Sequence, residues 1–382
     1  MPMDFSISQD DRIALDAFDK YLANEVKPLY QRPDEFVDKE TVRTALKGLL
    51  DYGMGNGLVE EELGGLGLSP TTVGLLFEQL AKASPDLSIV VLIQLEVGLL
   101  LAKGTEQQRE KYLTPLLAGE SFGCIGISEP GAGSNIAEIS TRAKRVDGGY
   151  RISGEKQWIS NGHYSDFIIC VTRVNDEPQA GLALLIVDRD AGYETKNIPK
   201  MALNRQSTAQ VFFDDVFVPD ENVLAPEGEG LRRLLTLLEG SRPLVGLLAV
   251  GVASSAYEHA VTYAQAREQH GKVIAAHQLI QARVANMAVD IEAAKLMLYS
   301  ALDKVTRGER SDLQSSMAKY YATEAALRVV RHAMAIHGGN GVTNEFPIEE
   351  LYRIAPILAV TEGTSEMQQL IIGRSLLGHA AF

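Results

Sequence analysis

Cysteine is scarce in this chain: Cys124 and Cys170 are the only two in 382 residues, and they form no Cys-x-x-Cys pair. That excludes a disulfide framework and a thiolate metal site, and it fits a reducing compartment. Positive charge is short as well. Lysine and arginine total 36 against 50 acidic residues, a formal net charge of -14. General attraction to nucleic acid or anionic membrane is therefore disfavoured, although a local basic pocket for a phosphorylated cofactor stays open. The seven histidines show no HExxH or paired-ligand spacing, and neither a GxSxG elbow nor a Walker loop is present. Zinc hydrolase, serine hydrolase and P-loop chemistries are set aside, and no metal is expected. The longest greasy stretch, Leu87 to Ala102, is interrupted by Gln94 and Glu96 and is shorter than a membrane span, so it reads as a buried helix. The first residues, Met1 to Asp11, are acidic where a signal or transit peptide would be basic, and the expectation is a cytoplasmic protein.

What is present is ordinary globular composition, 46% hydrophobic and 23% charged, in a chain long enough for two or three domains. From Ser8 to about Ala118 the signals are helical. Ser8 or Asp10 starts a helix that Pro28 is expected to end; Asp38 opens a second, with Gly53 as its stop; Ser69-Pro70 starts a third; Thr105 and Gln108 form a capping-box pattern. Near Gly119 the period changes. Phe122–Ser128, Ile139–Val146, Tyr150–Ser160, Phe167–Val174, Leu182–Val187 and Ala209–Val218 read as strands, and Asp147-Gly148-Gly149 as a hairpin turn. Without helices between these runs, an antiparallel sheet or small barrel is favoured. From Glu229 the helical period returns, with long helices over Gly230–Ala266, Ala275–Val305 and Asp312–Ile336 and a last one over Thr364–Leu377. The expected fold is α+β and multidomain: a helical N-terminal domain (1–118), a middle antiparallel β-barrel (119–228) and a C-terminal helical bundle (229–382).

One carboxylate stands out. Glu362 follows the apolar run Ile357–Val360 and precedes a helix that Thr364 or Ser365 can cap, Ser365 being followed three residues later by Gln368. Burial there would raise its pKa toward that of a general base, with Gly363 allowing close backbone approach; a solvated acid at a helix N-terminus is the plainer reading. Gly131-Ala132-Gly133 lacks the third glycine and the βαβ setting of a Rossmann loop, yet exposes backbone N–H groups beside Ser134. Trp158, the only tryptophan, adjoins a hydroxyl and a glycine turn and could wall a planar ring or be core. Arg267 to Lys272 could meet a phosphate or end a helix.

Taken in order, Gly126-Ile-Ser-Glu-Pro-Gly-Ala-Gly-Ser134, Lys156-Gln-Trp-Ile-Ser-Asn-Gly162, Ser241-Arg242-Pro243, Arg267 to Lys272 with Gln278, His337-Gly-Gly-Asn-Gly341 with Glu345-Phe-Pro347, and Glu362-Gly-Thr-Ser365 resemble the acyl-CoA dehydrogenase family of flavoproteins. Glu61 to Leu68 extends the match. The resemblance implies a homotetramer with one FAD per subunit. By that match Ile125, Ile127, Ser128, Gly133, Ser134, Trp158 and Ser160 line the flavin and pyrophosphate. Arg267, His270 and Gln278, with Gly338 and Gly339, meet the FAD of the partner subunit; Thr364 and Glu366 contact it from the catalytic segment. Ser134, Glu239, Arg242 and Gly363 lie by the acyl-CoA thioester.

Glu362 matches the family's catalytic base; the alternative family position for that base is Ser241 here, which cannot serve. The implied chemistry is α,β-dehydrogenation to the trans-2-enoyl thioester. Glu362 takes the α-proton, flavin N5 takes the β-hydride, and an electron-transferring flavoprotein takes the electrons. The sequence departs from the family at Asn135, Ala335 and Ile354, where aspartate, glutamine and aspartate are usual, and at His270 and His337. Other readings on the same fold are a carrier-protein thioester substrate, oxygen-using or eliminating chemistry, and a non-catalytic flavin or acyl-CoA scaffold. Chain length and branching of the acyl group are not readable.

Overall fold

The computed structural model describes residues 8–30, 34–177 and 181–379. Residues 1–7, part of the acidic start, lie outside them. Helix α1 (Gln9–Tyr21) begins where Ser8 accepts the Asp11 N–H at 3.0 Å. Pro28 does not end it. A five-residue π turn, Leu22–Val26, follows, and the Lys27 N–H closes it on the Leu22 carbonyl before a last helical turn, Lys27–Tyr30. Pro28 thus lies inside a continuous helical stretch, just after the wider turn.

Helices α2 (Lys39–Leu50), α3 (Pro70–Ala83) and α4 (Pro85–Leu101) are capped by Asp38, Ser69 and Ser84, and Thr105 with Gln108 forms both bonds of the capping box. Helix α4 is buried on nearly every side, Gln94 and Glu96 included. A helix without a polar face must sit inside, and α4 packs between α3, the first strand and the long helix of the bundle.

The sheet comprises β1 (Gly123–Gly126), β2 (Arg142–Val146), β3 (Gly149–Ser160), β4 (Phe167–Arg173), β5 (Leu182–Asp188), β6 (Glu194–Asn197), β7 (Thr208–Pro219) and β8 (Val223–Ala225). Gly148, at φ 73°, turns the β2–β3 hairpin. The strand order is β6-β7-β3-β2-β4-β5-β8, with β1 beside β4. This corrects two expectations. The sheet is open, since β6 and β8 end it unpaired to each other, so barrel is too strong a word. It is also mixed, because β1 runs parallel to β4, Gly123 opposite Phe167; the intervening hairpin is long enough to carry the chain back for a parallel pairing. Strands β6 and β8 escape the sequence reading because they are short and carry little alternation.

The bundle holds α5 (Gly230–Ala266), α6 (Gln278–Thr306), α7 (Asp312–His337), α8 (Ile348–Val360) and α9 (Ser365–Leu377). Helix α5 is long and apolar enough to cross a membrane, but its apolar residues are spent on α3, α4, α6, α7 and α8. It runs unbroken through Pro243. At Gly251 a β-carbon would stand 2.6 Å from Ala81 Cβ, so only glycine lets α5 and α3 approach this closely. Helix α8 was not anticipated as an element; Pro356 lies inside it. Arg205, after β6, ties the regions together: its N–H and guanidinium both reach Asp86 of α4, at 3.1 and 3.3 Å, and the guanidinium also pairs with Glu350 of α8.

Candidate active site

Between α8 and α9 the backbone makes a sharp corner, with Glu362 at φ 52° and Gly363 at φ 93°. A non-glycine residue in the left-handed region stores strain that its surroundings must hold. They do so from three sides. Thr364, not Ser365, caps α9 by accepting the Met367 N–H at 3.3 Å, so the expected Ser365–Gln368 box does not form. Ser365 instead donates to Glu324 at 2.8 Å, and buried Gln368 donates to the carbonyls of Glu362 and Gly363 at 3.3 and 3.0 Å. Lys319 of α7, fully buried, donates to the Ala359 and Gly363 carbonyls at 3.0 and 2.8 Å. Burial pushes its pKa down to about 8, with Glu362 opposing.

The corner delivers the Glu362 carboxyl into a pocket of α4, α5 and α7. Ser241 Oγ donates to it at 2.8 Å, and Arg242 and Lys319 are the cations beside it. Burial raises its pKa above the usual carboxylate value, and hydrogen bonds from Glu96 and Ser241 and the two cations partly offset that rise. Glu96 of α4 is 4% exposed, and its Oε1 has no partner among the described residues. Burial, then the charge and contact of Glu362, hold its pKa well above the ordinary value. Arg242 is buried too, and burial lowers its pKa against the pull of Glu362 and Glu239.

Helix α4 also fastens the strands that carry the predicted flavin residues. Gln94 accepts the Gly123 N–H at 3.3 Å, and Asn161 Nδ2 donates to the Val90 carbonyl at 3.2 Å. Beyond those anchors lie Ile125, Ile127 and Ser128 on one strand end and Trp158 and Ser160 on the other, joined where the Gln157 N–H meets the Ser128 carbonyl at 2.8 Å. Trp158 sits at φ 65°, where the β3–β7 register breaks, and it is 57% exposed. The bulge turns a large apolar ring outward, the reverse of a core tryptophan. Next to it, buried Glu129 and Lys156 pair at 2.7 Å, and Glu129 also accepts the N–H groups of Ser140 and Thr141. Burial would raise the Glu129 carboxyl, but Lys156 and these hydrogen bonds bring it to about 2. This pair props the Gly131–Ser134 loop, in which a β-carbon at Gly131 or Gly133 would touch nothing and Ser134 is exposed. Asn135, in place of the family aspartate, still caps the following turn through Ala137 N–H. A displayed indole beside an open glycine backbone suits a planar ring with a pyrophosphate.

Arg267, His270, Gln278, Gly338 and Gly339 form a second, exposed group. Tyr263 of α5 joins its two halves: its carbonyl accepts the Arg267 N–H at 2.9 Å, its ring stacks on His337 with centroids 4.3 Å apart, and its hydroxyl accepts from Asn340 at 2.9 Å. His270 lies in the turn between β9 (Glu268–Gln269) and β10 (Lys272–Val273). Gly338, at φ 59°, opens on empty space. Among the described residues, no hydrogen bond, ion pair or ring contact links this group to Glu362 or Trp158. Ile354, where an aspartate is usual, is buried in the core.

A cavity of about 1000 Å³ lies between α5, the start of α7 and α9, lined by Arg232, Glu239, Arg242, Arg310 and Arg374. Arg242 is shared between this cavity and the base. Glu239 is tied to α7, accepting the Ser311 N–H at 2.6 Å. Glu366 is exposed, its carboxyl held below the usual value by the Thr364 hydroxyl. Sequence reasoning missed Lys319 and the roles of Glu96 and Gln368, which it read as an interruption of an apolar helix and as a capping partner. The available signal was a carboxylate inside an otherwise apolar helix.

A buried, cation-flanked carboxylate, an outward indole over a glycine loop and an arginine-lined cavity make up a candidate site for a planar ring and an anionic ligand. Family models described as acyl-CoA dehydrogenase N-terminal, middle and C-terminal domains match residues 8–120, 124–216 and 228–377. A probable acyl-CoA dehydrogenase of Bacillus subtilis is 32% identical over 381 residues, covering 98% of this chain and all of its own. The structure of butyryl-CoA dehydrogenase from Megasphaera elsdenii superposes with a TM-score of 0.93 at 30% identity, over 98% of this chain and 100% of that one. A glutaryl-CoA dehydrogenase from Mycobacterium smegmatis in complex with FADH2 gives 0.90 at 28%, over 98% and 96%. The chain belongs to the acyl-CoA dehydrogenase family, and its cofactor is FAD.

Proposed function

We propose that the enzyme removes the α-proton of an acyl-CoA thioester with Glu362, giving the trans-2-enoyl-CoA. The observation that carries this is the Glu362 carboxyl itself, buried against Ser241, Arg242 and Lys319 on a strained corner, a base poised above the ordinary carboxylate range. FAD, when bound, supplies the hydride acceptor. Ile125, Ile127, Ser128, Gly133, Ser134, Trp158 and Ser160 hold its ring and pyrophosphate, with Thr364 and Glu366 at the catalytic corner. Arg267, His270, Gln278, Gly338 and Gly339 hold the cofactor of another subunit, which accounts for their separation from Glu362 within one chain. Ser134, Glu239, Arg242 and Gly363 face the thioester, and Arg232, Arg310 and Arg374 offer cations to the phosphates of CoA. Exposed Leu279, Val289 and Leu296 on α6 supply apolar surface for a homotetramer. An electron-transferring flavoprotein takes the electrons.

The test is anaerobic mixing of the FAD-loaded enzyme with short, medium, branched and aromatic acyl-CoA thioesters, following flavin absorbance. One class bleaches the flavin, and Glu362→Gln slows bleaching by about 10²–10⁴-fold, the usual weight of a general base. Bound flavin that no thioester bleaches overturns the reading, and oxygen consumption during turnover turns it toward an oxidase.

A further inference from the structure

Glu96 is the group this chemistry leaves unused. It rises from α4, a helix that is otherwise apolar around the site, and sets a second buried carboxyl, its Oε1 without a partner among the described residues, in the field of Glu362 beside Ser241. Two buried carboxylates in contact cannot both be ionised at ordinary cost, because each would sit in the other's field with little solvent to screen it. One proton shared by the pair relieves that cost. The surrounding groups decide which side keeps it. Glu362 has the Ser241 hydroxyl at 2.8 Å, Arg242 from α5 and Lys319 from α7, all of which favour its ionised form. Glu96 has the Ser241 contact alone, faces the Glu362 charge, and leaves Oε1 unpartnered. On α4 itself the nearest other acid, Asp86, is engaged with Arg205 well along the helix; on α5, Glu239 is held by Ser311; on α9, Glu366 is exposed and acts on Lys319.

We propose that Glu96 is a positioning residue for the base: it stays protonated, donates a hydrogen bond to the ionised Glu362, and so fixes the direction and basicity of the carboxylate that meets the α-proton. This rests on Glu362 being the base. Neutral Glu96 stabilises the ionised base by one charge-assisted hydrogen bond, while ionised Glu96 would strengthen the base and disorder the pair. The rate of flavin reduction then has two limbs, an acid limb from Glu362 and a second, more alkaline one from Glu96.

Three forms of the FAD-loaded enzyme decide it, each first checked for flavin content and thermal unfolding. Glu96→Ala removes the donor, and the acid limb moves up by about one pH unit, the worth of one such bond. Glu96→Gln restores a neutral donor, so its acid limb returns toward that of the unaltered enzyme while the alkaline limb disappears. The effect falls on kcat rather than KM. An acid limb indifferent to Glu96→Ala, or an alkaline limb that survives Glu96→Gln, overturns the proposal. A readout that needs no turnover separates this from failure of the dehydrogenase reading. The infrared carbonyl band of a buried protonated acid, present at neutral pH, is abolished by Glu96→Gln and kept in Glu362→Gln. A band that survives Glu96→Gln and vanishes in Glu362→Gln places the proton on the base and refutes the assignment.

Discussion

At the scale of single residues, opposite pKa shifts coexist in one chain, and each has a sign. For Glu362, Glu96 and Asp86 the folded pKa lies above the unfolded one, with burial as the main cause and Asp86 reaching about 6. The folded state therefore holds those protons more tightly, and their contribution to stability is most favourable below the ordinary carboxylate range and is lost as pH rises through the folded values. Proton abstraction runs the other way, since it needs ionised Glu362 and gains with pH through the same raised value. Glu129, at about 2, contributes fully above its ordinary value of 4.5 and loses that contribution as pH falls toward 2. Glu129→Gln leaves Lys156 buried without its charge partner; denaturant unfolding at pH 7 is expected to show a loss of about 3–5 kcal/mol, and a flatter acid dependence between pH 4.5 and 2. Glu362 stood out as a candidate because its segment resembles the family's catalytic one; the glycine and helix cap after it fitted a solvated acid equally well. Glu96 did not, because a lone acid in an apolar run reads as an interruption until the fold shows what stands opposite.

At the scale of elements, the corner between α8 and α9 and the contact of α5 with α3 both depend on glycine. At Gly363 a β-carbon would meet Gln368 Nε2 at 2.8 Å with φ at 93°, so Gly363→Ala strains the turn and displaces the amide that holds two carbonyls. A cost of about 1–3 kcal/mol and a reduced rate of flavin bleaching with normal flavin content are expected, from chemical denaturation and stopped-flow absorbance. Gly251→Val forces α5 off α3 and is expected to lower the melting temperature more than any exposed substitution on α6. The caps at Ser8, Asp38, Ser69 and Thr105 could be read from sequence because each is a local hydrogen bond. The parallel β1–β4 pairing could not, since it joins residues more than forty positions apart, Gly123 to Phe167.

At the scale of the whole molecule, Arg205 is a junction between the first helices, the sheet and the bundle, touching Asp86 and Glu350. Arg205→Met leaves Asp86 buried with less compensation and is expected to loosen the three parts together, seen as broadened thermal unfolding and earlier proteolysis at neutral pH. The proposed sharing of FAD between the Arg267–Gly339 surface of one subunit and Trp158 of another predicts that cofactor retention depends on assembly. Light scattering and flavin content measured across a dilution series are expected to fall together, and a monomer that keeps its FAD would refute the shared site.

The outward turn at Trp158 has one more consequence. Because the chain has a single tryptophan, its tryptophan emission, excited selectively over that of the tyrosines, comes from one place, and that place is the rim of the glycine loop. Adding FAD to apoprotein should extinguish this emission in step with loading, so the molecule carries its own fluorescent gauge of occupancy, readable without any substrate.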